Sequence, residues 1–273
     1  MAAKIADAQL TGATTGSTEI EFVPGRIQLP KDHEADSVTA GSTTLLLQIA
    51  YPLLLFSLTA VGPSRLTLLG GTNATMAPQI DYTKHVFLPF VMKHFNLSDP
   101  GLDIQKRGYF PKGGGQVSVN VVPLADNVRL PPVQLLERGR VKQISGIAHF
   151  AGLPNAVGSG MVAGATRRLA EAGYGLKVVP LVGLNGGGEN DPSVPVHIRY
   201  KRELNELTRG AGSGIVLWAE LEGGGMIGGS CVGTKGTDSA KVGEEAASEL
   251  LRGLDDGGCV DEVSPSSSFC EIF

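Results

Sequence analysis

The sequence predicts a mixed α+β protein on three observations. Between Gly16 and Val122 the hydropathy period changes repeatedly, in the order strand, helix, strand, helix, strand, strand. After Pro131 a second series of strand and helix patterns begins, with its own turn signals. The 273 residues, 42% hydrophobic and 18% charged, are enough to bury a sizeable core.

In the first series, "GSTEIEFVPG" alternates Glu19, Ile20, Glu21 and Phe22 and closes on Pro24-Gly25, which predicts a half-buried strand followed by a polar loop. Ser37 to Leu58 predicts a long helix capped at Ser37 or Ser42. Its apolar run, Leu45 to Val61, is broken by Gln48 and Pro52 and falls short of the about 18 residues of a membrane span, so a buried helix kinked near Pro52 is expected and no membrane association. "SRLTLLGG" predicts a strand with Leu66 and Leu68 on one face. The positions Ile80, Thr83, Phe87 and Val91 then follow helical spacing, with a bend at Pro89. "LDIQKRGYF" and "GQVSVNVVP" predict two strands joined by the turn "PKGGG".

In the second series, "RVKQISGIAHF" reads as a strand, "SGMVAGATRRLAEAG" as a helix starting near Ser159 and ending before Gly173, and "LKVVPLV" as a strand. "GIVLWAELEGG" and "MIGGSCVG" form a hairpin pattern. "SAKVGEEAASELLRGL" reads as a helix capped by Ser239, with Val242, Ala246 and Leu250 on one face.

A net charge of -4 and a pI near 5.8 exclude a global attraction to nucleic acid, so a phosphate ligand must be met by a local cluster of Arg and Lys. Cys231, Cys259 and Cys270 form no CxxC and have no His at ligand spacing, which argues against a zinc site or a disulfide framework. With no secretory pattern in "MAAKIADAQL", an intracellular location, nuclear or cytoplasmic, is expected.

Two glycine clusters could meet an anion. In "GGTNATMAPQIDYTKHVFLPF", Gly70 to Phe90, a strand ends and a helix begins, and unpaired N–H groups there can bind phosphate. Turn geometry from Gly70, Gly71 and Asn73, with Asp81 as a cap, explains the same residues. In "RGYFPKGGGQV", Arg107 and Lys112 flank three glycines, as a phosphate site or a basic hairpin would; Lys112 precedes the glycines, so it is no Walker A loop. "GLNGGGENDPSVPVH" reads as a flexible loop, and Arg167-Arg168 and Lys201-Arg202 as solvated faces.

Taken together, "GSTEIEFVPG", "TAGSTTLLLQIAYP", "GGTNATMAPQIDYT", "RGYFPKGGGQV" and "DSAKVGEEAASELL" resemble, in order and spacing, the RNA 3′-terminal phosphate cyclases, from about Ala6 to Glu262. The resemblance implies an α/β sandwich of repeated βαβαββ units with a smaller inserted α+β domain. It places residues 1–130 in the main domain, 131–238 in the insertion and 239–262 in the return to the main domain, with 263–273 a divergent tail. It implies ATP and a divalent metal, Mg2+ or Mn2+, as cofactors and RNA 3′-phosphate ends as substrate, converted to a 2′,3′-cyclic phosphate through adenylylated intermediates. By the same resemblance Gln48 and Pro78 bind ATP, Pro78 against the adenine face, and Arg107 and Lys112 contact phosphate or RNA backbone. Asn73 and Asp81 match family positions as well.

The resemblance also implies a basic glycine-rich segment ahead of "KIADAQLTG" and, beyond "GGCVDE", a catalytic His. Neither is found, so no catalytic residue is assigned, and His85, His94, His149 and His197 do not replace the nucleophile. The expectation is a truncated member that does not self-adenylylate and whose uncovered apolar faces call for a protein partner or a second copy. A non-catalytic cyclase-like scaffold in ribosomal RNA processing is the alternative. The enolpyruvyl transferases share the general architecture, but their substrate motifs are not visible.

Overall fold

The computed structural model of the chain describes residues 1–27, 29–56, 62–125, 128–175 and 194–260. The strand expected at 176–182, most of the 183–197 loop and the 263–273 tail lie outside them.

The first sheet has the order β3-β4-β6-β5, built from β3 (His33–Asp36), β4 (Ser64–Gly70), β5 (Asp103–Lys106) and β6 (Gly115–Val121). β3 and β4 are parallel, and β6 runs antiparallel to both β4 and β5. Helix α1 (Thr43–Leu55) connects the parallel pair, and α2 (residues 80–95) follows β4. Cross-strand pairs Leu66–Val119 and Leu68–Val117 line the core with Leu47 and Leu54 of α1 and Ile80, Leu88 and Val91 of α2. This is the expected strand, helix, strand, helix, strand, strand order, begun one strand later.

The later start is a correction. Residues Glu21–Val23 do form a strand, β2, but it is exposed throughout and pairs only with β1 (Gln9–Thr11) in a separate ribbon. The first strand of the unit is the polar "HEAD" of β3. As an edge strand buried on one face it needs only His33 and Ala35 inward, so no apolar run marks it.

The Ser42 side chain accepts from the N–H groups of Thr44 and Leu45 and so caps α1. The helix runs through Pro52 to Leu55, and it is not wholly buried, because Leu45, Ile49 and Phe56 form an exposed stripe along it. α2 comprises Ile80–Tyr82, a π turn Thr83–Phe87 and Leu88–Phe95. The π turn precedes Pro89, which has no N–H for the carbonyl of His85. The wider register avoids that missing bond.

The second sheet has the order β10-β9-β7-β8, built from β7 (Val141–Ala151), β8 (Val196–Arg202), β9 (Gly212–Leu221) and β10 (Met226–Val232). β7 and β8 are parallel; β9 is antiparallel to β7 and to β10. Helices α3 (Asn155–Glu171) and α4 (Ser239–Asp255) cover one face, with Met161 and Leu169 of α3 and Val242, Ala246 and Leu250 of α4 packed on Ile144, Ile215, Leu217 and Ile227. α4 therefore belongs to the core of this sheet, and the boundary expected between 238 and 239 falls inside a packed unit. Its cap is Asp238, whose carboxylate accepts from Ala240 N–H at 3.2 Å, rather than Ser239. The uncovered face of the sheet rests on α2, where Tyr82 and Val86 meet Val216, Trp218 and Met226.

α3 and α4 approach through glycines: a Cβ at Gly164 would collide with the Ala240 carbonyl, and one at Gly243 with that of Met161. Helix propensity alone favours Gly164→Ala by about 0.5–1 kcal/mol. Overpacking of backbone against backbone costs about 1–3 kcal/mol, so the variant is expected to lower the midpoint of thermal unfolding.

Candidate functional site

The two units meet around a buried polar cluster. The Arg107 guanidinium, 3% exposed, makes a forked contact with both carboxylate oxygens of Asp81, donates through Nε to Glu203 at 3.0 Å and reaches the Asn73 carbonyl oxygen at 3.4 Å. Asp81 comes from the first turn of α2, Arg107 from the exit of β5 and Glu203 from the exit of β8. Burial alone would push the Asp81 carboxyl up, but the Arg107 guanidinium overrides it and holds the group well below the usual carboxylate range. Burial likewise opposes the charge on Arg107, and Asp81 more than restores it.

His149, on β7, is wholly buried beside this cluster. Its Nδ1 lies 2.9 Å from the Tyr109 hydroxyl, and its Nε2 lies 3.1 Å from both the Asn73 amide nitrogen and Gln79 Oε1. Burial first, and then the Arg107 charge, lowers its pKa to about 3, so the ring is neutral. Gln79 completes the joint by donating to the carbonyls of Ile215 and Cys231 at 3.1 and 3.2 Å. The cluster is closed to solvent and hydrogen-bonded throughout. Its chemistry is positional, because Arg107 and His149 present no group to the surface.

This places the expected site residues differently from one another. Arg107, expected at phosphate or RNA, is instead the centre of the joint, because a guanidinium held by two buried carboxylates has no donor facing outward. Asp81, expected as a cap, is its principal partner. A carboxylate between the buried Ile80 and Tyr82 was the one signal in the sequence that a cation must lie opposite. Tyr109, Gln79, His149 and Glu203 had no such signal.

The glycines at 70 and 71 serve turn geometry. A Cβ on Gly70 would strike Ser37 and Gly41, and one on Gly71 the Ala40 carbonyl. The N–H groups of Gly71, Thr72 and Asn73 donate to Gly41 and Gly108 carbonyls at 2.8–3.3 Å, so none of the three is left for an anion.

Gln48 and Pro78 do come into one neighbourhood. The Thr44 hydroxyl donates to the Pro78 carbonyl at 2.9 Å, and Gln48 stands one turn beyond Thr44 on the same face of α1. Pro78 is buried and Gln48 half-buried. Met76, two residues before Pro78, is 87% exposed and held at φ 64, a left-handed conformation unusual for a side chain of its size.

Lys112 is exposed on the glycine turn, its stem against Gly210, and the Arg209 side chain covers Gly114. Beside this turn a cleft of about 380 Å³ is lined by Thr39, Gly70, Lys106, Gly114, Thr208 and Arg209, among others. Asp36 and Glu206 also line it. Among the described residues no group of three His, Cys, Asp or Glu side chains is arranged to hold a metal ion, and no helix is long and apolar enough to cross a membrane.

The family model for RNA 3′-terminal phosphate cyclase matches residues 1–269. The chain belongs to the RNA 3′-terminal phosphate cyclase family. It is 35% identical over 257 residues to a protein of Staphylothermus marinus named RNA 3′-terminal phosphate cyclase, covering 94% of this chain and 65% of that protein. Proteins of the same name from Caldivirga maquilingensis (35% identical, 96% and 66% covered) and Thermococcus kodakarensis (34% identical, 94% and 65% covered) are similar to it as well. The chain thus spans about 65% of the length of the curated relatives it matches. The mixed sheets and flanking helices are those of an α+β cyclase-family chain.

Two outcomes are expected from the joint. Arg107→Ala leaves the buried Asp81 carboxylate uncompensated and takes from Glu203 one of its two cations, Lys201 being the other, and should lower stability to urea by about 3–5 kcal/mol, with Arg107→Lys only partly restoring it because ammonium cannot make the fork.

The second concerns pH. A histidine whose folded pKa, about 3, lies below its unfolded value near 6.5 contributes stability that is complete above about pH 6.5 and is lost as pH falls toward 3. His33 and His85, also lowered mainly by burial, act in the same direction. Urea unfolding between pH 6 and 4 should show stability falling by about 1 kcal/mol per pH unit from His149, and His149→Gln should flatten that slope.

Proposed function

We propose that this chain provides the nucleotide- and phosphate-binding part of an ATP-dependent conversion of an RNA 3′-phosphate to a 2′,3′-cyclic phosphate. The observation that carries the proposal is the Thr44–Pro78 bond, which brings Gln48 and Pro78, the two residues at the family's ATP positions, to one end of α1. In this reading Gln48 offers an amide and Pro78 an apolar face to the adenosine, and Met76, two residues before Pro78, is exposed to solvent. The cleft opens beside Thr39, three residues before the cap of the same helix; Lys106 and Arg209 line it and Lys112 stands on the adjoining glycine turn, and these are the cations for the RNA 3′-phosphate.

The RNA 3′-phosphate acquires the adenylyl group of ATP as the α–β phosphoanhydride bond breaks and pyrophosphate leaves; the neighbouring 2′-hydroxyl then attacks the RNA phosphorus, losing its proton, and the P–O bond to AMP breaks. This chain's residues would orient the adenosine and neutralise the phosphate. We also propose that His33, His85, His94 and His149 do not accept AMP: His149 has both ring nitrogens engaged in a sealed cluster, His33 is buried, His94 lies 2.9 Å from the Gly224 carbonyl and His85 is stacked on Trp218.

Calorimetric titration of the chain with ATP, and separately with a short 3′-phosphorylated RNA, tests the reading. Gln48→Ala should weaken ATP about tenfold and leave the RNA end unchanged, and Lys112→Ala the reverse. Equal affinities in both variants, or stable label on the chain from labelled ATP, would overturn it.

A further inference from the structure

β8 is the outermost strand of the second sheet among the described residues, and five of its seven residues, His197, Arg199, Tyr200, Lys201 and Arg202, are exposed. The alternation of a strand sorts them onto two faces. Val196 and Ile198 pack with the α3–α4 core, and Tyr200 lies 6.2 Å from the Phe150 ring, so these share the helix side. His197, Arg199 and Lys201 therefore point to the opposite side. The register carries that side inward across the sheet: His197 pairs with Ser145, which pairs with Trp218, and Arg199 pairs with Ile147, which pairs with Val216. The basic stripe and Trp218 thus lie on one surface.

On that surface His85 of α2 stacks on Trp218, with centroids 4.7 Å apart and planes within 3°. Both rings are half-buried, leaving part of the stack open to solvent. The carboxylates around it are engaged: Asp81 by Arg107, Glu203 by Arg107 and by Lys201 at 3.0 Å, and Glu220 by Gln143 at 2.6 Å. Arg199 has no carboxylate partner among the described residues. Burial first, and then the charges of Lys84, Arg199 and Arg107, lower the His85 pKa, against the raising effect of Asp81. An uncompensated guanidinium on the same sheet face as an open stack of aromatic rings suits one occupant, a flexible polyanion with π faces.

We propose that this surface, the outer face of β8 with the His85–Trp218 stack, takes the single-stranded RNA leading up to the 3′-phosphate end. Arg199 and Lys201 meet successive backbone phosphates, and a base continues the stack on His85. β8 runs toward Glu203 and the 204–209 segment, which ends at Arg209 in the phosphate cleft, so a strand anchored there by its 3′ end can follow β8 outward. The inference rests on the RNA reading of the cleft and extends it to the nucleotides upstream of the end.

The test is fluorescence anisotropy of the full chain with 3′-phosphorylated single-stranded RNAs of two and about 12 nucleotides, over a range of salt. Arg199→Glu, on an exposed position, and His85→Ala should each weaken the longer RNA roughly tenfold, with the dinucleotide unchanged. Arg199→Ala should flatten the slope of log K against log salt by about 0.7, the share of one neutralised phosphate, and Arg199→Lys should restore it. If the wild-type chain binds the longer RNA and both Arg199→Glu and His85→Ala bind it equally well, the surface is wrong while the cleft stands. If wild type binds neither RNA, the RNA reading itself fails and this inference with it.

Discussion

Arg107 stands where three pieces of chain must meet, and its charge constrains all of them. Neither a guanidinium nor a carboxylate is stable out of water alone, so once Arg107 is buried at the exit of β5 it requires Asp81 from α2 and Glu203 from the end of β8 in hydrogen-bonding geometry. Among the described residues the apolar contact between the units centres on Tyr82, Val86, Val216, Trp218 and Met226. Such contact is non-directional and tolerates sliding, whereas a forked ion pair does not. The relative placement of the two sheets is therefore set by the polar cluster and only sealed by the apolar one.

The same cluster organises the surface around it. Arg107 N–H also donates to the Leu207 carbonyl at 3.0 Å, which holds the 204–209 segment against the glycine turn after Arg107. That brings Arg209 over Gly114 and Gly210 under Lys112, so the exposed cations gather because a buried one is fixed. The Thr72 N–H to Gly108 bond ties the start of the "TNATMAPQ" segment to the same point, and with it Pro78 and the end of α1. The proposed nucleotide and phosphate positions are thus neighbours through one buried scaffold rather than through direct contact.

A chain of net charge -4 can present basic ligand surfaces because charge acts locally. Glu203 is drawn inward and paired, Asp36 and Glu206 remain at the rim of the phosphate cleft, and Arg199, Lys112 and Arg209 face solvent. A pH near neutral leaves His149 and His85 uncharged, which suits a sealed joint in one case and a stacking ring in the other.

From the sequence alone come the α+β class, the helices and central strands, the hairpin after Gly212, and the family motifs with Gln48, Pro78 and Lys112. These are legible because hydropathy period, caps and turn residues are local, and a motif's spacing survives in one dimension. The polar edge strand at His33–Asp36, the attachment of α4 to the second sheet, the burial of Arg107 and the partnership of Asp81 with it were decided only by tertiary structure. So was the pairing of His85 with Trp218, 133 residues apart in the numbering. An edge strand needs only two inward side chains and leaves no apolar run. A charged side chain, read by itself, looks the same whether it faces water or a partner from another strand; only the fold determines which.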